Sequence, residues 1–332
     1  SRLIHNLRKE VREIQSLGQY NLKQKLGEGA MGIVYEANHG MLKRPTAIKL
    51  LKPEIADPDA LDRFRREVQL TAKLTHPNTV TIYDYGRTPD GKFYYAMELL
   101  SGATLTQVVN ASGEQPVERV VRVLRDAARA LNEAHEIGLI HRDIKPSNIM
   151  LARQGGVPDV TKVLDFGLVK NLGQIDDLEQ TNTLSIKGTP HYLSPEAIQE
   201  PQGIGATTDL YALGAVGYYL LAGRHVFEGK TIMEICLHHL HTKPLPLAEV
   251  GSFDVPKALE ELILACLEKD QANRPASGQE LADALDQLDV SSWTRMDAEA
   301  WWDVFGEEIE RAKAPLPPAS ATEQTVAIDL DA

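Results

Sequence analysis

The chain has 332 residues, 43% hydrophobic and 25% charged, with a formal net charge of −12. That length suits two domains or one bilobal unit, and the composition is that of a globular protein, not a disordered one. The acidic balance argues against general affinity for nucleic acid or anionic membrane. The isolated pair Cys236 and Cys266 argues against a disulfide framework or a thiolate metal site and fits a reducing, cytoplasmic setting.

Residues 1–18 place Leu3, Leu7, Val11 and Ile14 near helical spacing and predict a short amphipathic helix, either packed on the strand-rich region after it or serving as a linker. The charges in these first residues do not suit a signal peptide. From Tyr20 to about Glu98 the pattern is strand-rich with one interruption, "DPDALDRFRREVQLTAKL". There Leu61, Phe64 and Val68 share a helical face, Asp57 or Asp59 offers a cap and Pro58 a start. From Leu105 onward helical patterns dominate. In Val117–Glu136 the stripe Val117, Val120, Val121, Leu124, Ala128 and Leu131 faces one side, and Gly138 is the stop. The apolar run Tyr211–Gly223 is shorter than the roughly 20 residues a membrane span needs, so it reads as a buried core helix. Helical spacing returns at Ala298, Trp301, Trp302, Phe305 and Ile309, with Thr294 and Asp297 as a capping box. This stripe suits either core packing or a partner surface. The ending "KAPLPPASATEQTVAIDLDA" is rich in Pro, Ala and Thr and reads as a mobile tail. Thr322 and Thr325 within it leave open a docking or autoinhibitory segment. The whole predicts an α+β architecture: a small β-rich lobe, then a larger α-rich one.

The stretch "LGEGAMGIVYEA", Leu26–Ala37, spells G-x-G-x-x-G through Gly27, Gly29 and Gly32. The same pattern opens dinucleotide-binding folds and covers the phosphates of ATP, and alone it favours neither. A dinucleotide site needs a helix after the glycines and an acid about 20 residues on. Here Ile33, Val34 and Tyr35 are strand formers, and Lys49 stands where the acid is required. A cation there suits phosphate, not ribose hydroxyls. Further along stand Glu67, "HRDIKPSN" (His141–Asn148), "DFG" (Asp165–Gly167), "SPE" (Ser194–Glu196), "DLYALG" (Asp209–Gly214) and Arg274.

This ordered set resembles the eukaryotic-type protein kinase family over about Tyr20–Leu288. The wording "GEGAMGIVY", "HRDIKPSNIM" and "GTPHYLSPEA" looks most like the bacterial serine/threonine kinases of that family. The resemblance implies a bilobal fold, with an N-lobe at 20–98, a hinge at 98–102 and a C-lobe at 103–288. Residues 1–19 would form an N-terminal extension and 289–332 a C-terminal helix and tail. It implies ATP with Mg²⁺ or Mn²⁺, and protein substrates with Ser or Thr acceptors. Nucleic-acid partners and a membrane span within this chain are not expected; a membrane anchor outside it is left open.

The resemblance also implies a role for each motif residue. Lys49 holds the α- and β-phosphates and pairs with Glu67. Asp143 orients the substrate hydroxyl, and Lys145 steadies the transferring phosphate. Asn148 and Asp165 bind the metal through oxygen. His141 packs beneath the DFG turn instead of acting as a base. Met97 gates the back of the adenine pocket, Glu98–Leu100 form the hinge, and Leu26, Val34, Ala47 and Met150 enclose the ring. Asp209 anchors the catalytic loop's backbone, and Glu196 pairs with Arg274; "SPE" replaces the commoner "APE" but keeps the glutamate. Between DFG and SPE, Thr181 and Thr183 are favoured over Ser185 as autophosphorylation sites, with Arg142 as the phosphate's partner and transient homodimers for reaction in trans. Thr189 would contact Asp143 and substrate. Thr71 stands where the family has an apolar residue, so its hydroxyl must find a bond or weaken the docking of Glu67's helix. A scaffold that binds nucleotide without catalysis, and a kinase of small molecules, are the competing readings. The full set of polar residues disfavours the first, and the "SPE" and "GTP" segments disfavour the second.

Overall fold

The computed structural model describes residues 16–17, 19–29, 32–51, 66–88, 91–166, 190–200, 203–251 and 254–313. The first lobe is a six-stranded antiparallel sheet in the order β1-β2-β3-β4-β6-β5. Its strands are β1 (Ser16–Leu17), β2 (Tyr20–Glu28), β3 (Gly32–His39), β4 (Pro45–Leu51), β5 (Ile82–Arg87) and β6 (Phe93–Glu98). Central β4 is buried over most of its length, from Thr46 to Leu51. This is why "PTAIKLL" is nearly continuously apolar and does not alternate as a half-exposed strand would. The register sets Val34 opposite Lys49, Lys49 opposite Tyr95, and Ala47 opposite Met97.

The helix predicted over residues 1–18 does not include Ser16 and Leu17, which pair with Asn21 and Tyr20 as an edge strand. Backbone partners on an open sheet edge outweigh the apolar periodicity there. Residues 1–15 of that predicted helix lie outside the described residues, as do Asp57, Pro58, Asp59, Leu61 and Phe64. Helical residues 66–71 (α1) are described, and Val68 packs with Leu51, Phe93 and Tyr95.

The second lobe begins with β7 (Gly102–Thr104), which joins β8 (Ile149–Gln154) and β9 (Val157–Val163) in a small antiparallel sheet. Its helices include α2 (Leu105–Ser112), α3 (Val117–Glu136), α4 (Pro195–Gln199), α5 (Ala206–Ala222), α6 (Ile232–His241), α7 (Leu247–Val250), α8 (Lys257–Cys266), α9 (Gly278–Asp286) and α10 (Arg295–Lys313). In α3 the predicted stripe is buried except at half-buried Val117, and Gly138, at φ 78, follows its end. The apolar run becomes α5, buried on every side from Thr208 to Ala222. Gly214 is required by that packing, since a Cβ there would lie 2.5 Å from the Cβ of Cys266.

The main core does not stop at residue 288. Val290, Trp293, Trp301, Trp302, Phe305 and Ile309 all pack against it. The tryptophan stripe therefore packs on the core of the second lobe, as the first of the two readings expects. Thr294 and Asp297 bond reciprocally as the predicted capping box at its start.

Candidate active site

The glycine loop is the β2–β3 hairpin, a strand–turn–strand as its residues predict. Gly32 is fixed by the sheet, because a Cβ there would sit 2.3 Å from the carbonyl oxygen of Leu50. At Gly27 and Gly29 a Cβ would meet nothing within 4 Å. Among the described residues, packing does not demand glycine at those two positions.

Lys49, buried in β4, places its ammonium 2.8 Å from Asp165 Oδ2. Tyr95, opposite Lys49 in the sheet, donates its hydroxyl to Asp165 Oδ1 at 2.8 Å. Burial alone would raise the Asp165 carboxyl, but the Lys49 charge and the two hydrogen bonds outweigh it and hold that pKa below the usual value. Asp165 sits at φ 50, a left-handed conformation that an L residue adopts at a cost.

The expected Lys49–Glu67 pair is not the one formed. Glu67 lies 3.6 Å from Arg142 Nη1, while Lys49 turns to Asp165. Arg142 itself sits at φ 65, in the left-handed region. The concern over Thr71 is resolved within α1: its buried hydroxyl donates to the Glu67 carbonyl at 2.8 Å, so no desolvated hydroxyl is left unpaired.

Asp209, in the first turn of α5, holds the loop that carries the catalytic motif. Its Oδ2 accepts the His141 N–H at 2.8 Å and lies 2.8 Å from His135 Nε2, and its Oδ1 accepts the Arg142 N–H at 2.8 Å. His141 is fully buried and its ring contacts Phe166 with centroids 4.8 Å apart. Its Nε2 donates to the Leu164 carbonyl at 2.7 Å and its Nδ1 accepts from the Asp143 N–H at 3.3 Å. Burial lowers its pKa and keeps it neutral. With both nitrogens committed it is a structural link between the two motifs, not a base. Asp143 Oδ2 receives Lys145 Nζ at 2.8 Å and Asn148 Nδ2 at 3.0 Å, and the Asn148 amide also bonds the Asp143 carbonyl at 2.8 Å. One carboxylate thus gathers the motif's lysine and asparagine around it.

Glu196 and Arg274 form the expected pair, bidentate at 2.8 and 2.9 Å and buried. Thr208 adds a hydroxyl donor at 2.8 Å. Burial would raise the Glu196 carboxyl; the Arg274 hydrogen bonds and charge bring it below the normal value.

Ala47 is buried on the sheet face, Val34, Met97, Leu100 and Met150 are half-buried, and Leu26 is exposed. Glu98 does more than carry hinge backbone. Its N–H bonds the Thr81 carbonyl at 2.9 Å, and its carboxylate pairs with Lys162 at 2.8 Å. Gly167, Thr181, Thr183, Ser185, Thr189, Thr322 and Thr325 lie outside the described residues. Sequence reasoning missed Tyr95 and Lys162. A lone lysine in the apolar strand "VTKVL" was the available signal for the second. Nothing marked the first before its register with Lys49 was known.

The resemblance to protein kinases implies ATP and a divalent metal, and the residues present fit both. Among the described residues no group of three His, Cys, Asp or Glu could hold a metal by itself. Asp165 and the Asn148 amide offer a few hard oxygen donors, which suits a cation that takes its other ligands from phosphates and water.

The protein kinase domain family matches residues 20–285. Serine/threonine-protein kinase pkn3 of Myxococcus xanthus is 34% identical over 306 residues, covering 91% of this chain and 55% of that protein. PknA of Mycobacterium tuberculosis is 36% identical over 277 residues, covering 81% and 61%. The chain therefore spans little more than half the length of these relatives. The crystal structure of the Mycobacterium tuberculosis PknI kinase domain matches with a TM-score of 0.64 at 26% identity, covering 82% of this chain and 97% of that one. Among the described residues no helix is long and apolar enough to cross a membrane. Motif order, bilobal fold, catalytic-loop geometry and these matches agree, and this chain belongs to the protein kinase family.

Proposed function

We propose that this chain is a serine/threonine protein kinase that moves the γ-phosphoryl group of ATP, with Mg²⁺ or Mn²⁺, to hydroxyls of protein substrates. The observation that carries this reading is the Asp143 carboxylate, gathered with Lys145 and Asn148 on a loop pinned by Asp209. Asp143 accepts the hydrogen bond of the incoming hydroxyl and aims its oxygen at the γ-phosphorus. As that P–O bond forms and the bond to the β-phosphate oxygen breaks, Lys145 faces the charge spreading over the transferred group. Lys49 holds the α- and β-phosphates, and the open hairpin at Gly27 and Gly29 admits them. Asn148 and Asp165 would hold the cation, and it would supply positive charge against the phosphates. Hydroxyl specificity follows from Lys145 at that place in the loop.

Phosphorylation of Thr181 or Thr183, in trans within transient dimers, is the regulatory part of this proposal. A phosphate competes with Glu67 for the Arg142 guanidinium. Glu67 then swings to Lys49, and Lys49 is drawn from Asp165 toward the phosphates.

The test is incubation of the chain with labelled ATP and each cation beside the Asp143→Asn variant. Label on the chain or on a generic protein substrate, with loss by at least about 100-fold in the variant, is expected. ATP binding without any transfer overturns the enzyme reading in favour of a scaffold.

A further inference from the structure

Lys162 and Glu98 form a buried ion pair that the catalytic reading does not use. Lys162 lies in β9 at 2% exposure, and Glu98 ends β6 at 8%. The ammonium donates to Glu98 Oε1 at 2.8 Å and to the Thr79 carbonyl at 3.3 Å. The same Oε1 accepts the Thr81 N–H at 2.9 Å, and Oε2 accepts Gln154 Nε2 at 3.2 Å. Three segments thus meet on one carboxylate: the strand before Asp165, the end of β8, and residues 79–81 leading into β5.

Backbone bonds sew the same place. The Val80 N–H reaches the Val163 carbonyl at 3.1 Å, the Val163 N–H reaches the Asn78 carbonyl at 2.7 Å, and Asn78 Nδ2 reaches the Thr161 carbonyl at 2.7 Å. Stability does not call for an ion pair here, since two packed apolar side chains would avoid the desolvation cost of both charges. What the pair adds is direction. A carboxylate with three donors has one position, and that position fixes where the hinge begins relative to β9. Asp165 stands three residues beyond Lys162 on the same run of chain.

We infer that Lys162 and Glu98 are a positioning pair that sets the separation between the hinge and Asp165, and through it the affinity for nucleotide. The inference rests on the reading of this site as an ATP site: adenine is held at one end of this separation, and phosphates with their cation at the other. A ligand that touches both ends feels the separation; a fragment that touches one end does not. Lys162 touches no reacting atom and acts only through the backbone it holds.

The test is equilibrium binding to the full chain, without turnover, of ATP with Mg²⁺, of adenosine, and of inorganic triphosphate with Mg²⁺. The proteins are wild type, Lys162→Arg, Lys162→Met, and the double variant Lys162→Met/Glu98→Gln, each checked by thermal unfolding. The double variant leaves no charge buried alone and answers for Lys162→Met should that single change prevent folding. The expected result is Kd for ATP raised about tenfold, the size of effect a small misplacement of a binding group brings. Kd for each fragment should change less than about twofold, and Lys162→Arg should recover much of the loss. Folded variants that bind ATP as wild type does overturn the inference, as does an equal loss on adenosine alone. Wild type that binds adenosine and triphosphate but gains nothing from their linkage in ATP also overturns it. Wild type that binds none of the three ligands overturns instead the functional reading on which it stands.

Discussion

Two buried arginine–carboxylate pairs hold the second lobe together, and they are built differently. Arg274 meets Glu196 at 2.8 and 2.9 Å, and Arg119 meets Asp159 at 2.8 and 2.9 Å. Around Arg274 the remaining donors go to backbone, the carbonyls of Glu268, Thr207 and Lys269. Around Arg119 and Asp159 the partners are side chains: Gln115 on the guanidinium, and the indole N–H groups of Trp293 and Trp302 on the carboxylate at 2.9 and 2.7 Å. The Trp301 ring lies 4.0 Å from the Arg119 guanidinium carbon. The first pair ties the start of α4 to the loop before α9. The second bolts α10 to β9 and α3, and Lys313 at the far end of that helix donates to the Gly102 carbonyl, where the hinge enters the lobe. The same chemistry thus serves once within the motif-bearing region and once to secure an element that no motif marks.

Asp159→Ala is expected to have the largest effect. It strands Arg119 at 1% exposure and frees two indole donors, so a loss of about 3–5 kcal/mol in urea unfolding is expected. Arg274→Leu should cost a similar amount by stranding Glu196. The two differ in where the chain loosens: limited proteolysis should cut near 290–294 in Asp159→Ala but not in Arg274→Leu. Equal cutting would break the distinction drawn between the pairs. Trp302→Phe keeps the ring and removes one hydrogen bond to a charge, so about 1.5 kcal/mol is expected by the same unfolding measurement.

A smaller effect should appear as a slope with pH. His225 stacks on His191, with centroids 3.9 Å apart, and on Tyr219. Burial first, and His191 second, lower its pKa to about 4. The unfolded chain binds this proton near pH 6.5 while the folded one refuses it until about 4. Stability from this group is therefore full above about 6.5, falls as pH drops toward about 4, and falls no further below. His225→Phe should flatten the decline in Tm over that window; an unchanged slope refutes the assignment. Smallest is Arg295→Ala. Its pair with Glu299 is exposed on both sides, and no more than about 0.5 kcal/mol should be lost.

Legibility followed the kind of contact. Lys49, Asp143, Asn148, Asp165, Glu196, Asp209 and Arg274 could be singled out because the ordered motifs resemble the protein kinase family and each falls on a position that the resemblance marks. The pairing of Glu67 could not, because Arg142 lies 75 residues away in sequence and only the folded chain brings it within 3.6 Å of the glutamate. Asp159 gave no sign of itself, being one acid in "GGVPDVTKV" whose partners are spread from Arg119 to Trp302. The apolar stripe of α10 is visible in the residues, but the face of the second lobe that receives it is not, so core packing and a partner surface stayed open until the chain was folded.

Residue order was enough for the two-lobed α+β fold and the glycine hairpin, and its resemblance to the protein kinase family named the residues expected to carry phosphoryl transfer. The fold and the hairpin rest on periodicity, which backbone geometry enforces over a few residues; the site residues rest on the family resemblance. It took the folded chain to bring Lys49 against Asp165, to join the hinge to the strand before Asp165 through Lys162 and Glu98, and to make α10 part of the core. Each of these depends on which distant side chains burial brings together, and a buried charge takes the partner that leaves it best paired.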